Sequence, residues 1–154
     1  MSFDDILPMV NITARPKFRK FFKLLSQGRN GYSYDFNSIY RDANKQNILY
    51  EEKTSPIKGG NSKHNFAAAI DINVTTNRGE ELKKVGTKEL WESEGIVRYA
   101  KSCGLGWGGD FSVEDSVHFY YDFDLKKARS NSITQYNKPF ESLTETEIIN
   151  LNLD

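Results

Sequence analysis

The stretch Ser62-Lys63-His64-Asn65-Phe66-Ala67-Ala68-Ala69-Ile70-Asp71 decides the fold, because a polar turn with a histidine runs directly into an apolar strand that carries an aspartate. The only other histidine of the chain is His118, in the segment Asp115-Ser116-Val117-His118-Phe119. Two imidazoles and a carboxylate are ligands that hold zinc in proteins while a fourth position stays open for water. We therefore predict one catalytic zinc site; the alternative is two ordinary histidines that bind no metal.

The spacing Ser-x-His-x6-Asp, followed much later by Asp-x-x-His, resembles the zinc D-Ala-D-Ala carboxypeptidase and L-Ala-D-Glu endopeptidase family. This family includes bacteriophage endolysins that cut peptidoglycan stem peptides. The resemblance covers roughly residues 32 to 123. It implies an α+β fold, in which a small antiparallel sheet carries the zinc site and helices flank it. It also implies that His64, Asp71 and His118 are the zinc ligands.

The chain departs from the family pattern at two positions close to these ligands. Ala67 stands where the family usually has glycine, and Tyr120 stands where an acidic or amide residue often follows. Ala67 adds only a methyl group if its backbone is ordinary, but it is strained if the family glycine has a positive φ. Tyr120 lies on the same side of its strand as His118, so we expect it to face the cleft beside the metal.

The resemblance further implies the catalytic groups. Asp115 matches the general base, although spacing alone leaves Glu114 and Asp110 open as competitors. Arg41, in Tyr40-Arg41-Asp42-x-x-x-Gln46, matches an arginine that would stabilise the charge of a tetrahedral intermediate. Its alternative is a surface arginine paired with Asp42, which replaces the usual serine, or with Glu51. Three further residues match family positions that orient the ligands or bind substrate: Ser62, Gln46 and Asp110.

Length and composition exclude several classes of protein. A chain of 154 residues with 38% hydrophobic and 27% charged residues suits one soluble globular domain. Basic and acidic residues are balanced at 21 each, which argues against binding to nucleic acid or an anionic membrane. The single cysteine, Cys103, forms no intramolecular disulfide and is expected to fill the core. The first residues lack a basic, apolar signal segment, and no stretch is long enough to span a membrane.

Hydrophobic periodicity predicts the order of the elements. Helices are expected at 15–27, with Pro16 in the first turn, at 43–52, and at 87–103, with Thr87 as the N-cap. Strands are expected at 32–40, 67–74 and 117–123, and an irregular turn at 106–111. Adjacent glycines Gly59 and Gly60 are expected to let the backbone approach the site closely. We divide the chain into a peptidase domain with an N-terminal arm, 1–125, and a C-terminal extension, 126–154, that suits docking.

These observations lead to two functional hypotheses. The first is a zinc metallopeptidase that hydrolyses peptidoglycan stem peptides, either as a phage endolysin or as a lysin carried in the virion. It would be made in the host cytoplasm without a signal peptide, act at the cell wall, and contact virion proteins through 126–154. The alternative is a catalytically impaired copy of the fold that serves as a structural or binding module of a phage particle.

Overall fold

A computed structural model describes residues 1–53, 59 and 61–154. Its centre is an antiparallel sheet with the strand order β1-β2-β5-β4, and β3 pairs with the end of β2. The predicted α+β architecture, a small antiparallel sheet flanked by helices, is confirmed. The strands are β1 (Ser33–Ser38), β2 (Ala69–Thr75), β3 (Glu81–Leu82), β4 (Leu105–Trp107) and β5 (His118–Tyr121).

Seven α-helical segments surround the sheet in the part of the chain that the structure describes. They are α1 (Phe3–Ile6), α2 (Arg15–Gly28), α3 (Ala43–Glu51), α4 (Lys88–Ser93), α5 (Ile96–Ser102), α6 (Leu125–Tyr136) and α7 (Glu145–Ile149). Short 3₁₀ segments lie at Leu7–Met9, Lys63–Phe66, Gly108–Asp110 and Phe140–Ser142. None of the helices described is long and apolar enough to cross a membrane.

Helix α2 covers one face of the sheet and forms the centre of the core. Its apolar residues recur every three or four positions, so Phe18, Phe21, Phe22 and Leu25 share a buried face. The Phe21 ring lies 5.1 Å from the ring of Phe119 on β5. Burying each such side chain stabilises the fold by about 1.5–3 kcal/mol. Since α2 packs on the Phe119 side of β5, the opposite side remains for His118.

The prediction of one helix over 87–103 is wrong, because Gly95 adopts φ = 78° and breaks it into α4 and α5. Thr87 is the N-cap residue of α4, as predicted, but its side chain makes no capping hydrogen bond and instead exchanges hydrogen bonds with the backbone of Lys83. Part of the expected turn at 106–111 is strand β4. Gly60 and most of the loop that contains it lie outside the described residues.

The C-terminal residues pack onto the rest of the molecule. Leu151 and Leu153 are fully buried in the same core as Ile6 and Val10 of the N-terminal arm. Helix α6, which the polar composition of this segment did not reveal, begins at an N-cap, Asp124, whose carboxylate accepts two backbone hydrogen bonds. Cys103 is half-buried against the core. The division of the chain at residue 125 stays a prediction.

Candidate metal centre

The two histidines and Asp71 converge at one point. His64 Nε2 lies 3.1 Å from Asp71 Oδ1 and 3.2 Å from His118 Nδ1, and His118 Nδ1 lies 3.0 Å from Asp71 Oδ1. Zinc bonds to nitrogen and oxygen of about 2.0–2.2 Å place tetrahedral ligand atoms about 3.3–3.6 Å apart. The triangle of donor atoms is therefore close to the size that a tetrahedral zinc site requires.

Strand register places two of the three donors. Asp71 on β2 and His118 on β5 are direct partners across the antiparallel pair, and Ser38 on β1 is the partner of Asp71 on its other side. Side chains of directly opposite residues point to the same face of a sheet. The two ligand atoms are thus brought together by backbone pairing, before any side-chain contact is considered.

His64 reaches the same point from outside the sheet. It lies in the 3₁₀ segment Lys63–Phe66, which begins with a capping box between Ser62 and Asn65. The ring atom Nδ1 lies 2.8 Å from the carbonyl oxygen of Ile39, so we assign the proton of the neutral ring to Nδ1. That tautomer leaves a lone pair on Nε2, which is the atom that faces Asp71 and His118.

The chemistry of the three atoms also favours a cation. In neutral His64 the Nε2 atom is an acceptor, as are both carboxylate oxygens of Asp71. The His118 Nδ1 atom carries at most one proton, and one proton cannot form full-strength hydrogen bonds to both His64 Nε2 and Asp71 Oδ1. Three electron-rich atoms within 3.2 Å of one another repel unless a proton or a metal ion lies between them. These residues therefore fit a metal ion.

Ala67 ends the segment that carries His64, and it adopts the left-handed conformation, φ = 54° and ψ = 31°. This conformation costs an alanine about 1–2 kcal/mol, whereas glycine adopts it freely. Ala67 therefore has the strained, positive-φ backbone and not the ordinary one. Because of the turn, Ala67 N–H and Arg41 N–H both donate to the carbonyl oxygen of His64.

Arg41 lies beside the donor triangle. Its Nη1 donates to Gln46 Oε1 at 2.8 Å, and its Nη2 lies 3.3 Å from Ser38 Oγ and 3.9 Å from Asp71 Oδ2. Burial raises the pKa of the Asp71 carboxyl, but the neighbouring rings of His118 and His64 outweigh it and hold that pKa well below its usual range. Asp71 is therefore an anion at neutral pH, next to a guanidinium that Gln46 holds in place.

The structure separates the three acidic residues that spacing left open. Asp115 is partly buried, its Oδ1 has no hydrogen-bond partner among the described residues, and burial raises the pKa of its carboxyl. Its backbone carbonyl accepts the His118 N–H at 3.1 Å. Glu114 instead accepts hydrogen bonds from Gly86 N–H and Ser116 Oγ. Asp110 is exposed and pairs with Lys101 at 2.7 Å, outside the donor cluster.

Gly108 allows Asp115 and His118 to lie on one tight turn. A Cβ atom at position 108 would collide with the Asp115 carbonyl oxygen and would lie 2.9 Å from His118 Cβ. The Gly108 carbonyl accepts the N–H groups of both Phe111 and Asp115. Any larger residue at position 108 would force Asp115 away from His118.

Aromatic rings line the other side of His118. Tyr120 stacks on the His118 ring at 5.5 Å, as the alternation along β5 predicts, and Phe111 lies 5.7 Å from His118 and 5.6 Å from Tyr120. Sequence reasoning missed Phe111, which is 39% exposed. It also missed Ile39 and Asn65; only Asn65 carried a signal, since Ser62-x-x-Asn65 has capping-box spacing.

Comparison with known proteins bears directly on this geometry. The model of a family described as D-alanyl-D-alanine carboxypeptidase matches residues 56–121, the segment that contains all three donor residues and Asp115. The structure is also similar to that of the Serratia marcescens L-Ala D-Glu endopeptidase ChiX, with a TM-score of 0.55. The two sequences are 18% identical over 78% of this chain and 86% of that chain, so this likeness shows the fold.

Proposed function

We propose that the protein is a zinc-dependent peptidase that hydrolyses peptidoglycan stem peptides, because residues 56–121 match the model of a family described as D-alanyl-D-alanine carboxypeptidase. The observation that carries the proposal is the convergence of two imidazole nitrogens and one carboxylate oxygen within 3.2 Å of one another. His64, Asp71 and His118 would hold the zinc ion. When bound in such a site, zinc supplies Lewis acidity that polarises a carbonyl group and acidifies water.

Each neighbouring residue then has a defined task. Asp115 is the proposed general base: it takes a proton from the attacking water and returns it to the leaving amine. The free Oδ1 of Asp115 is the acceptor that this transfer requires. Arg41 supplies positive charge where the substrate carbonyl oxygen becomes negative, and Gln46 fixes its orientation. The carbonyl oxygen of Ile39 holds the His64 ring in the orientation in which Nε2 would bind the metal ion.

The bond that is cleaved lies on the stem peptide. We propose the L-Ala-D-Glu bond first and the D-Ala-D-Ala bond second, because the similar solved structure is an L-Ala D-Glu endopeptidase. Tyr120 and Phe111 beside His118 give this site an apolar wall, which suits an alanine methyl group next to the bond under attack. The enzyme would act at the bacterial cell wall, as a phage endolysin or a virion-associated lysin.

Digestion of purified peptidoglycan, followed by mass spectrometry of the new ends, tests the activity and identifies the bond. We expect the wild type to bind about one zinc per chain and to release fragments with new D-Glu amino termini. Asp115→Asn should keep its zinc and lose a factor of about 10²–10⁴ in rate. Glu114→Gln is the matched control, since Glu114 bonds Gly86 and Ser116, and it should digest the wall almost normally. A fully active Asp115→Asn would remove Asp115 from the mechanism.

The alternative, a binding module without catalysis, is favoured by one observation. Ala67 imposes strain on the turn that ends the His64 segment, at a position where the family usually has glycine. A wild type that binds zinc and stem peptides but releases no fragments would support this alternative.

A further inference from the structure

The C-terminal residues are linked to the segment that carries His64 at two separate points, once by direct contact and once through Asn11. Phe140 stacks on Phe66 with ring centroids 4.2 Å apart and an angle of 18° between the rings. Phe66 is fully buried and lies two residues after His64. We propose that residues 140–151 are a positioning element for the candidate metal ligand His64. This inference rests on the proposed metal site.

The second point of contact passes through Asn11. Its backbone N–H donates to the carbonyl oxygen of Ala67 at 2.8 Å, and its side-chain amide donates to Ile148 O at 2.8 Å and Leu151 O at 2.9 Å. Asn11 is completely buried. A buried amide that lost either carbonyl would cost about 1–3 kcal/mol, so these bonds hold the three segments at fixed distances. The C-terminal chain is thereby tied to the left-handed turn at Ala67.

The C-terminal chain is held there by its own contacts. Ile149 O accepts the Ile12 N–H at 2.8 Å, and Tyr121 Oη donates to an Asp154 carboxylate oxygen at 2.6 Å. Thr144 and Glu147 form a capping box that begins α7. The apolar residues of the segment face inward, since Phe140, Ile148, Leu151 and Leu153 are all buried. These apolar side chains therefore pack within this chain and do not form an exposed surface for docking onto another protein.

The reason for such support lies in the local backbone. Ala67 persists in an unfavourable conformation only because the surrounding structure determines it. If that turn relaxed, the 3₁₀ segment would shift, and with it the ring of His64. Groups that orient metal ligands typically change metal affinity by about 10–100-fold when they are removed. Residues 140–151 contribute affinity by this route, without contacting the metal.

Phe140→Ala tests the inference, with Phe3→Ala as the matched control. Phe3 makes a similar stack on Phe22, at 4.7 Å and 22°, but it packs on α2 and β1. Both variants lose one aromatic stack and should fall in thermal stability. We expect Phe140→Ala alone to weaken zinc binding by about tenfold in competition with a chromogenic chelator. It should also alter the visible spectrum of the Co²⁺-loaded protein, and Phe140→Leu should restore most of the affinity.

Hydrogen exchange of the metal-free protein gives a readout that does not depend on zinc. The amides of residues 64–68 should exchange faster in Phe140→Ala than in the wild type, and at the wild-type rate in Phe3→Ala. Equal zinc affinity in all variants together with unchanged exchange at 64–68 would overturn the inference, while leaving the metal site intact. A wild type without zinc affinity would instead overturn the proposed function, and exchange would then decide the positioning role alone.

Discussion

Replacing Ala67 by glycine should leave the stability of the protein nearly unchanged, although Ala67 is fully buried. The left-handed conformation at φ = 54° costs alanine about 1–2 kcal/mol, and the substitution removes this cost. Against this gain, the lost methyl burial costs about 0.8 kcal/mol. The greater freedom of glycine in the unfolded chain costs about 0.4–1 kcal/mol more. These contributions cancel to within about 1 kcal/mol.

Ala100 provides the matched control. It is equally buried, at 0% exposure, but it lies inside helix α5 with ordinary backbone angles. There glycine costs about 1 kcal/mol in helix propensity and about 0.8 kcal/mol in lost methyl burial, with no strain to relieve. We therefore expect Ala100→Gly to destabilise the protein by about 2 kcal/mol.

Urea denaturation of the metal-free protein measures both free energies of unfolding. At about 2–4 °C per kcal/mol for a domain of this size, Ala100→Gly should also lower the melting temperature by about 4–8 °C. Ala67→Gly, within about 1 kcal/mol of the wild type, should stay within about 4 °C of its melting temperature. If the two variants lose equal stability, Ala67 does not carry left-handed strain, and the account of the turn after His64 is refuted.

Three further predictions concern the site and the C-terminal helix. His64→Ala and His118→Ala should each abolish stoichiometric zinc in the purified protein by elemental analysis, with little change in far-ultraviolet circular dichroism. Arg41→Lys should keep zinc but lower kcat on wall substrate by about tenfold or more, because lysine cannot reproduce the planar contacts of the guanidinium; an unchanged kcat would remove Arg41 from catalysis. Hydrogen bonding to the Thr144 N–H and to Lys138 lowers the pKa of Glu147, so it contributes stability above its ordinary pKa of 4.5 that is lost as the pH falls through the lower folded value. The melting temperatures of the wild type and Glu147→Gln should therefore differ at pH 7 and converge as the pH falls through the lowered pKa of Glu147, and a constant difference would contradict the capping role.

Much of the fold follows from local sequence patterns, but two departures from the prediction depend on the backbone angle of one glycine and on tertiary packing. The phenylalanines of α2 recur at helical spacing, and that helix ends one residue beyond the predicted end. Gly95 looks like a tolerated helix residue in sequence, yet its φ of 78° divides the predicted helix in two. Helix α6 has a polar sequence without clear periodicity, and it depends on capping by Asp124 and on tertiary packing of Ala128. Such tertiary contacts leave little trace in a single sequence.

The candidate site likewise contains residues that the sequence predicts and residues that only the structure identifies. Residue types and spacing select His64, Asp71 and His118, because few side chains bind zinc and this chain has only two histidines. Spacing does not separate Asp115 from Glu114, since adjacent positions in a loop can point in any direction. The structure distinguishes the two residues, because the Glu114 carboxylate accepts hydrogen bonds from Gly86 N–H and Ser116 Oγ. Phe111 was missed because its contact with His118 depends on how the turn after β4 folds back.

The three donor residues are not held with equal firmness, and this difference decides where substitutions should matter most. Asp71 and His118 face each other across paired strands, so the sheet's hydrogen bonds fix their backbones. His64 depends on a short 3₁₀ segment, a strained residue at its end and contacts from Asn11 and Phe140. A short 3₁₀ segment has poorer hydrogen-bond geometry than a sheet and moves more easily. Substitutions that lower metal affinity from a distance should therefore cluster around residues 62–67 and their C-terminal supports, rather than behind β2 and β5.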